Sequence, residues 1–206
     1  MVKTMKRTLA TVLAVVTVMA PAMSISATTV NNTAKAEAVA EATVETVVAT
    51  PSTVGGAKST VAGFYNVKSL GGVAVATPVA TLKAAAGLKA GETPRITAYD
   101  LSAKKNPAST AVLNAIAASQ NATVISALEL DFTKASAGKI VALGSDLNIE
   151  MRLQLPKSAV VPGANYAVAY VAPGGAFAIL PAVVTESGVL AFYAKGGQGA
   201  YAVIRY

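Results

Sequence analysis

The acidic residues of this sequence are spaced in a way that could support catalysis. Glu129 and Asp131 are two positions apart, so they would share one face of an extended strand. Glycoside hydrolysis needs two carboxyl groups around one bond, and Asp100 and Glu150 could supply further acids from neighbouring strands. Because the acids from 129 to 131 alternate with large apolar residues, the pattern favours an ordinary solvent-exposed face. We therefore expect no catalytic residues.

The composition excludes several other chemistries. The sequence contains no His and no Cys, so a Ser-His-Asp triad, a thiol nucleophile and an ordinary zinc or copper site are ruled out. No phosphate-binding glycine-rich motif is present. Asp146, Asn148 and Glu150 alternate near a turn and carry oxygen ligands that calcium accepts, although a polar strand face also explains them. We expect neither a metal nor a cofactor.

Tyrosines in the last quarter of the chain are the candidates for ligand binding. The four residues are Tyr166, Tyr170, Tyr193 and Tyr201. Exposed tyrosine rings with free hydroxyl groups could contact a glycan or a protein. Rings of this kind also fill the core of a sheet with the hydroxyl at its rim, and the sequence leaves both alternatives open.

The first 27 residues are predicted to be a signal peptide. Three basic residues precede an uncharged apolar run from Leu9 to Ala20, which is too short to span a bilayer as a helix. Small residues beyond it offer cleavage sites near Ala22, Ala27 and Ala36. We favour the site at Ala27, and a retained membrane anchor is the alternative. Such a leader predicts that the protein is secreted and that it has no membrane span after cleavage.

The charge of the chain changes once the leader is set aside. The sequence has 17 Lys+Arg and 10 Asp+Glu, and three of the basic residues lie in the leader, so an excess of +4 remains. This excess is ordinary for a soluble domain. It predicts no nucleic-acid partner.

Residues 28–60 are predicted to form a disordered spacer, followed by one domain over residues 61–206. The segment is rich in Ala, Thr and Val and has no aromatic residue, so it could bury little apolar surface. A helix over residues 34–48 is the alternative, since Ala and Glu favour helix.

Two helices and a series of strands are predicted in the domain. Thr77-Pro78 and Asn106-Pro107 have the chemistry of helix starts, and Asn121 is a plausible stop for the second helix. From Leu147 to Leu155 apolar and polar residues alternate without a break, which predicts a strand with one buried face. Glycine-rich turns then separate four more strands. The core is expected to draw on Val124, Leu128, Leu130, Phe132, Leu147, Ile149, Met151, Leu153, Val168, Leu190, Phe192 and Val203.

The C-terminal third resembles a known type of domain. The segments whose residue pattern carries the resemblance are 147–156, 163–168, 188–192 and 199–203. They are similar to the C-terminal β-sandwich domains of uncharacterised secreted and surface proteins of Gram-positive gut bacteria. The resemblance implies an extracellular setting and a sandwich fold, and it transfers no functional residue.

Together these observations predict a mainly β protein: an antiparallel, Ig-like β-sandwich with two short helices. The expected function is that of a non-catalytic secreted or cell-surface module for adhesion, binding a glycan, the cell wall or a surface protein. The alternatives are a carboxylate-based extracellular hydrolase and a structural exoprotein that assembles with itself through sheet edges.

Overall fold

The computed structural model describes residues 49–206. The predicted signal peptide and residues 28–48 of the predicted spacer lie outside the described residues. Within residues 49–206 no helix combines the length and the apolar character needed to cross a membrane.

The described chain forms twelve strands and two α-helices. In chain order they are β1 Thr53–Val54, β2 Ala57–Lys58, β3 Ala62–Asn66, β4 Gly72–Val75, α1 Val79–Ala85, β5 Thr93–Asp100, α2 Pro107–Ser119, β6 Thr123–Ser136, β7 Lys139–Ala142, β8 Asn148–Gln154, β9 Tyr166–Val171, β10 Phe177–Val184, β11 Val189–Lys195 and β12 Gln198–Arg205. The prediction of a mainly β fold with two helices is confirmed.

Ten of these strands form one continuous sheet. Its order is β3-β5-β6-β12-β9-β10-β11-β8-β4, and β7 pairs with β6. All pairs are antiparallel except β3 with β5. The sheet nearly closes and is barrel-like, so the finer prediction of an Ig-like sandwich with two separate sheets is not confirmed.

Residues 50–60 join the two ends of this sheet. The backbone N–H of Thr50 donates to Tyr65 on β3, at 2.9 Å, and the N–H of Val73 on β4 donates to Pro51, at 3.0 Å. The side chain of Val54 is only 1 % exposed. The predicted spacer boundary at residue 60 therefore needs correction. Residues 50–60 are part of the folded domain, because they form hydrogen bonds with backbone groups of both terminal strands.

The inner face of the sheet holds the main core. On β8, Ile149, Met151 and Leu153 are fully buried and alternate with partly exposed polar residues, as the sequence pattern predicts. All but one of the predicted core residues belong to this inner cluster. The exception is Val124, which packs on the outer face.

A bulge explains the position of Val124. On β12 the neighbours Val203 and Ile204 pair with Ser126 and Val124, so Ile125 is an extra residue in β6. One extra residue reverses the faces of a strand. Ile125 consequently packs against the inner core, and Val124 turns outward.

Helix α2 covers the outer face of β9 and β12. Its Leu113 and Ile116 pack against small residues, among them Ala169 and Ala202, which have no exposed surface. Alanine lets a helix approach a sheet closely, and both strands are therefore buried on two faces. The helix starts and stops where the sequence predicts, and Asn121 beyond its end has φ of 49°.

Helix α1 also begins near the predicted position, after Thr77-Pro78. Thr77 does not cap it: its hydroxyl instead accepts a hydrogen bond from the backbone N–H of Glu150, at 2.7 Å. Gly87 follows the helix with φ of 59°, a conformation that favours glycine.

Candidate functional site

The structure does not bring the four predicted ligand-binding tyrosines together on a surface. Tyr166, Tyr170 and Tyr201 face the interior and are at most 8 % exposed. Tyr193 alone is exposed, on the outer face of β11. A ligand in solution could not reach the three interior rings unless the sheet rearranged.

The interior tyrosines connect distant parts of the barrel. The Tyr201 ring lies 4.9 Å from that of Tyr170 and 6.0 Å from that of Phe192. Its hydroxyl accepts from the Lys195 N–H and donates to the Lys195 carbonyl, both at 3.1 Å. Burial raises the pKa of the Tyr201 hydroxyl, and Tyr170 nearby adds to this shift. These contacts give the tyrosines a structural role.

Two of the four candidate acids are also used structurally. Asp100 accepts hydrogen bonds from the backbone of Lys68 and Ser69, at 2.6 and 3.1 Å, and so holds the loop after β3. Glu150 forms an ion pair with Arg152 on β8, at 3.2 Å. In the sheet order β8 is not next to β6, so Glu150 does not join Glu129 and Asp131.

Glu129 and Asp131 lie on the outer face of β6 beside two exposed aromatic rings. In the register of the sheet Tyr99 lies opposite Glu129, and Thr97 lies opposite Asp131. Phe64 of β3 is paired with Thr97 on the other side. The rings of Phe64 and Tyr99 are 5.6 Å apart at 46°, and each residue is 43 % exposed.

We call this surface the polar–aromatic face. It consists of Phe64, Thr97, Tyr99, Glu129, Asp131 and Gln198. Gln198 completes it because it pairs with Asp131 across the β6–β12 ladder. Four neighbouring strands thus supply one continuous surface: β5 and β6 contribute two residues each, and β3 and β12 contribute one each.

Two amides hold the Glu129 carboxylate. Asn106 Nδ2 donates to one oxygen at 3.2 Å, and Gln198 Nε2 donates to the other. Asn106 directly precedes α2 and makes no side-chain cap to that helix, so its amide is free to position the carboxylate. The amides fix Glu129 from α2 on one side and from β12 on the other.

Asp131 differs from Glu129 in its surroundings. Partial burial raises the pKa of the Asp131 carboxyl above its usual value, and the charge of Glu129 raises it further. Protonation of Asp131 is therefore easier than for an exposed aspartate. This carboxyl can act as a hydrogen-bond acceptor or, once protonated, as a donor.

A cleft of about 310 Å³ adjoins Glu129 at the start of α2. Apolar side chains of Leu101 and Val112 line part of it, and polar groups of Ser109 and Asn106 line another part. A recess that offers both polar groups and apolar side chains is suited to a small ligand or to one group of a larger ligand.

A second uncovered surface lies over β10 and β11. We call it the apolar face, and it consists of Phe177, Ile179, Pro181, Val183 and Tyr193. Every second residue of β10 is apolar and exposed here, while Leu180 between them is buried. A groove of about 670 Å³ runs along it, lined also by Val161 and Tyr206.

Asp146, Asn148 and Glu150 carry oxygen ligands that calcium accepts, although the sequence predicts no metal site there. Among residues 49–206 no three Asp, Glu, His or Cys side chains come close enough together to hold an ion. Asn148 is instead hydrogen-bonded to Lys195 Nζ, at 2.9 Å.

Comparison with known proteins gives no relative for this chain. No family model, no curated protein and no solved structure matches it. The resemblance to the sandwich domains of Gram-positive surface proteins accordingly stays a prediction.

Sequence reasoning missed the aromatic pair of the polar–aromatic face. Tyr99 alternates with the buried Ile96 and Ala98 on β5, and this alternation alone could have predicted its exposure. No sequence signal could have placed Phe64 beside it, because β3 pairs with β5 across the intervening β4 and α1.

Proposed function

We propose that this protein is a non-catalytic extracellular module that binds a glycan on its polar–aromatic face. The observation that carries the proposal is the exposed Phe64–Tyr99 pair next to the amide-held Glu129. The predicted leader supports the extracellular setting.

The chemistry of the face matches that of a sugar ring. A pyranose has apolar C–H patches that can stack on an aromatic ring, and its hydroxyl groups need donors and acceptors nearby. Tyr99 and Phe64 supply the apolar platform. Glu129, Asp131 and Gln198 supply acceptors and donors within the adjacent two strands.

Binding is favoured over hydrolysis because of where the two carboxyls originate. Glycosidases place their acids around the scissile bond, on either side of it. Glu129 and Asp131 extend from the same face of one strand, and the carboxylate of Glu129 already accepts two amide hydrogen bonds.

One observation does favour the hydrolase alternative. The pKa of Asp131 is raised while a second acid lies two residues away, and glycosidases use a pair of carboxyls in unlike environments. The test is release of reducing ends from any glycan that binds. Release that is lost in both Glu129→Gln and Asp131→Asn would establish catalysis in place of simple binding.

The binding proposal is tested by titrating cell-wall and mucin-type glycans into the purified protein by calorimetry. For the glycan that binds, Tyr99→Ala should lower the affinity at least about tenfold, which is about 1.4 kcal/mol. Tyr193→Ala is the matched control, since it removes an exposed tyrosine from the other face. Equal losses in both variants, or no loss in Tyr99→Ala, would contradict the proposal.

The extracellular setting has a separate test. Expression of the full chain in a secreting bacterial host should yield a shortened protein in the medium or on the cell surface. Its N-terminal sequence should begin close to residue 28. An intact chain that stays in the cytoplasm would refute the extracellular setting and would leave the proposed glycan site unaffected.

A further inference from the structure

The apolar face is unusual for the outer surface of a sheet. Phe177 and Val183 are 65 % and 71 % exposed, although an outer strand face is normally polar. The neighbouring β9 shows how such a surface is otherwise covered, since α2 packs against it. No element among residues 49–206 covers β10 in the same way.

The size of the apolar face approaches that of a protein interface. Taking about 200 Å² for a full aromatic side chain, Phe177 and Tyr193 together expose roughly 240 Å². With Ile179, Pro181, Val183 and the flanking Val161 and Tyr206, we estimate on the order of 600 Å². A standard interface uses about 800 Å² from each partner, so most of that area is available here.

Opposite charges flank the face. Glu186 lies exposed in the turn that follows β10, and it lines the groove. Lys195 lies at the end of β11 that is away from this turn, where it lines a recess together with Pro181 and Tyr193. The face is therefore negative at the turn after β10 and positive on its β11 side, away from that turn.

We propose that two copies of this chain associate through their apolar faces about a two-fold axis, with the two β10 strands antiparallel. This orientation brings Glu186 of each copy near Lys195 of the other. A parallel orientation would put like charges together, which is unfavourable. Side chains of the second copy would fill the groove, and the polar–aromatic faces would stay free on the outside.

The test is sedimentation velocity of the purified protein over a range of concentrations. The wild type should show a monomer–dimer equilibrium, and Val183→Lys should weaken the dimer at least about tenfold, because it places a charge in a desolvated centre. Ile140→Lys is the matched control: Ile140 on β7 has the same 71 % exposure and lies outside the face. Circular dichroism should show that both variants stay folded.

A charge exchange tests the orientation. Glu186→Lys should weaken the dimer, and the double variant Glu186→Lys with Lys195→Glu should recover much of the loss. Both effects should shrink at high salt, since the pair lies at the rim. Weakening in the single variant without recovery in the double variant would overturn the antiparallel arrangement.

Three results would overturn the proposal as a whole. The first is a strict monomer up to the highest soluble concentration. The second is a dimer that Ile140→Lys dissociates and Val183→Lys leaves intact, which would assign assembly to the edge strand β7. The third is a monomer in which 8-anilinonaphthalene-1-sulfonate binds the wild type but not Val183→Lys, which would assign the groove to a small apolar ligand.

Discussion

The polar–aromatic face and the apolar face are both outer surfaces of the same barrel-like sheet, yet they differ in what their strands present. On β6 the outward residues include Glu129 and Asp131, and on β10 they are Phe177, Ile179, Pro181 and Val183. Directly beneath both lies the same inner core. The strand period thus decides which side chains point outward, and the chemistry of those side chains decides what each face can bind.

The surface between the two faces explains why they are separate. Helix α2 packs over β9 and β12, where the outward residues are mostly alanine. The alanine side chain has no polar group with which to bind a ligand, and its small size lets a helix pack closely on the sheet. The covered strip therefore divides a face suited to hydroxyl groups from a face suited to apolar side chains.

The largest loss of stability is expected from a substitution in the inner core that lies beneath both faces. Tyr201 on β12 is fully buried, and its hydroxyl reaches Lys195 on β11. Tyr201→Ala should lower the free energy of unfolding by about 3–5 kcal/mol, because it leaves a cavity and two backbone groups without their partner. Urea denaturation measures this loss. Tyr99→Ala, which removes a 43 % exposed ring outside the apolar face, should change stability far less, and a similar loss in both variants would argue against the structural role of Tyr201.

The next prediction concerns the covered strip. Ala202→Leu should destabilise the protein by about 1–3 kcal/mol, because the larger side chain has no room against α2. The control is Ala142→Leu on β7, which is exposed, lies outside both faces and should stay within about 0.5 kcal/mol of wild type. Chemical denaturation of the two variants side by side checks the difference. If Ala202→Leu were as stable as Ala142→Leu, α2 would not pack tightly there.

A smaller effect, on glycan affinity, is expected from a change of charge in the polar–aromatic face. Gln198→Glu replaces an amide that donates to Glu129 with a second carboxylate, so affinity for the bound glycan should fall about tenfold at neutral pH. Calorimetry measures the change, and lower pH should reverse part of it. Gln154→Glu makes the same substitution at a site on β8 and should leave affinity unchanged. Equal affinity of Gln198→Glu and wild type would remove Glu129 from the binding site.

The smallest effect is a pH dependence within the polar–aromatic face. The pKa of Asp131 is raised in the folded state, so the stability that its protonated form provides is complete below the unfolded pKa of about 3.9 and is lost as pH rises through the folded pKa. Asp131→Asn should therefore have a higher urea midpoint than wild type at pH 7 and the same midpoint near pH 3. A higher midpoint at both pH values would show a cause other than ionisation.

Sequence alone determined the local elements of this protein. The uninterrupted alternation on β8 identified Ile149, Met151 and Leu153 as core, and the start and stop signals of α2 were both placed correctly. These features depend on the strand and helix periods and on the conformational preferences of a few residues, all of which are local.

Only the tertiary structure decided how those elements meet. It joined the two ends of the nearly closed sheet through residues 50–60, placed a bulge at Ile125, and buried three of the four tyrosines that the sequence offered as a surface. It also set Phe64 beside Tyr99 and, within the described part of the chain, left β10 without a helix above it. Such outcomes depend on pairing between residues far apart in the chain, and a period of two residues distinguishes two faces of a strand without saying which will be covered.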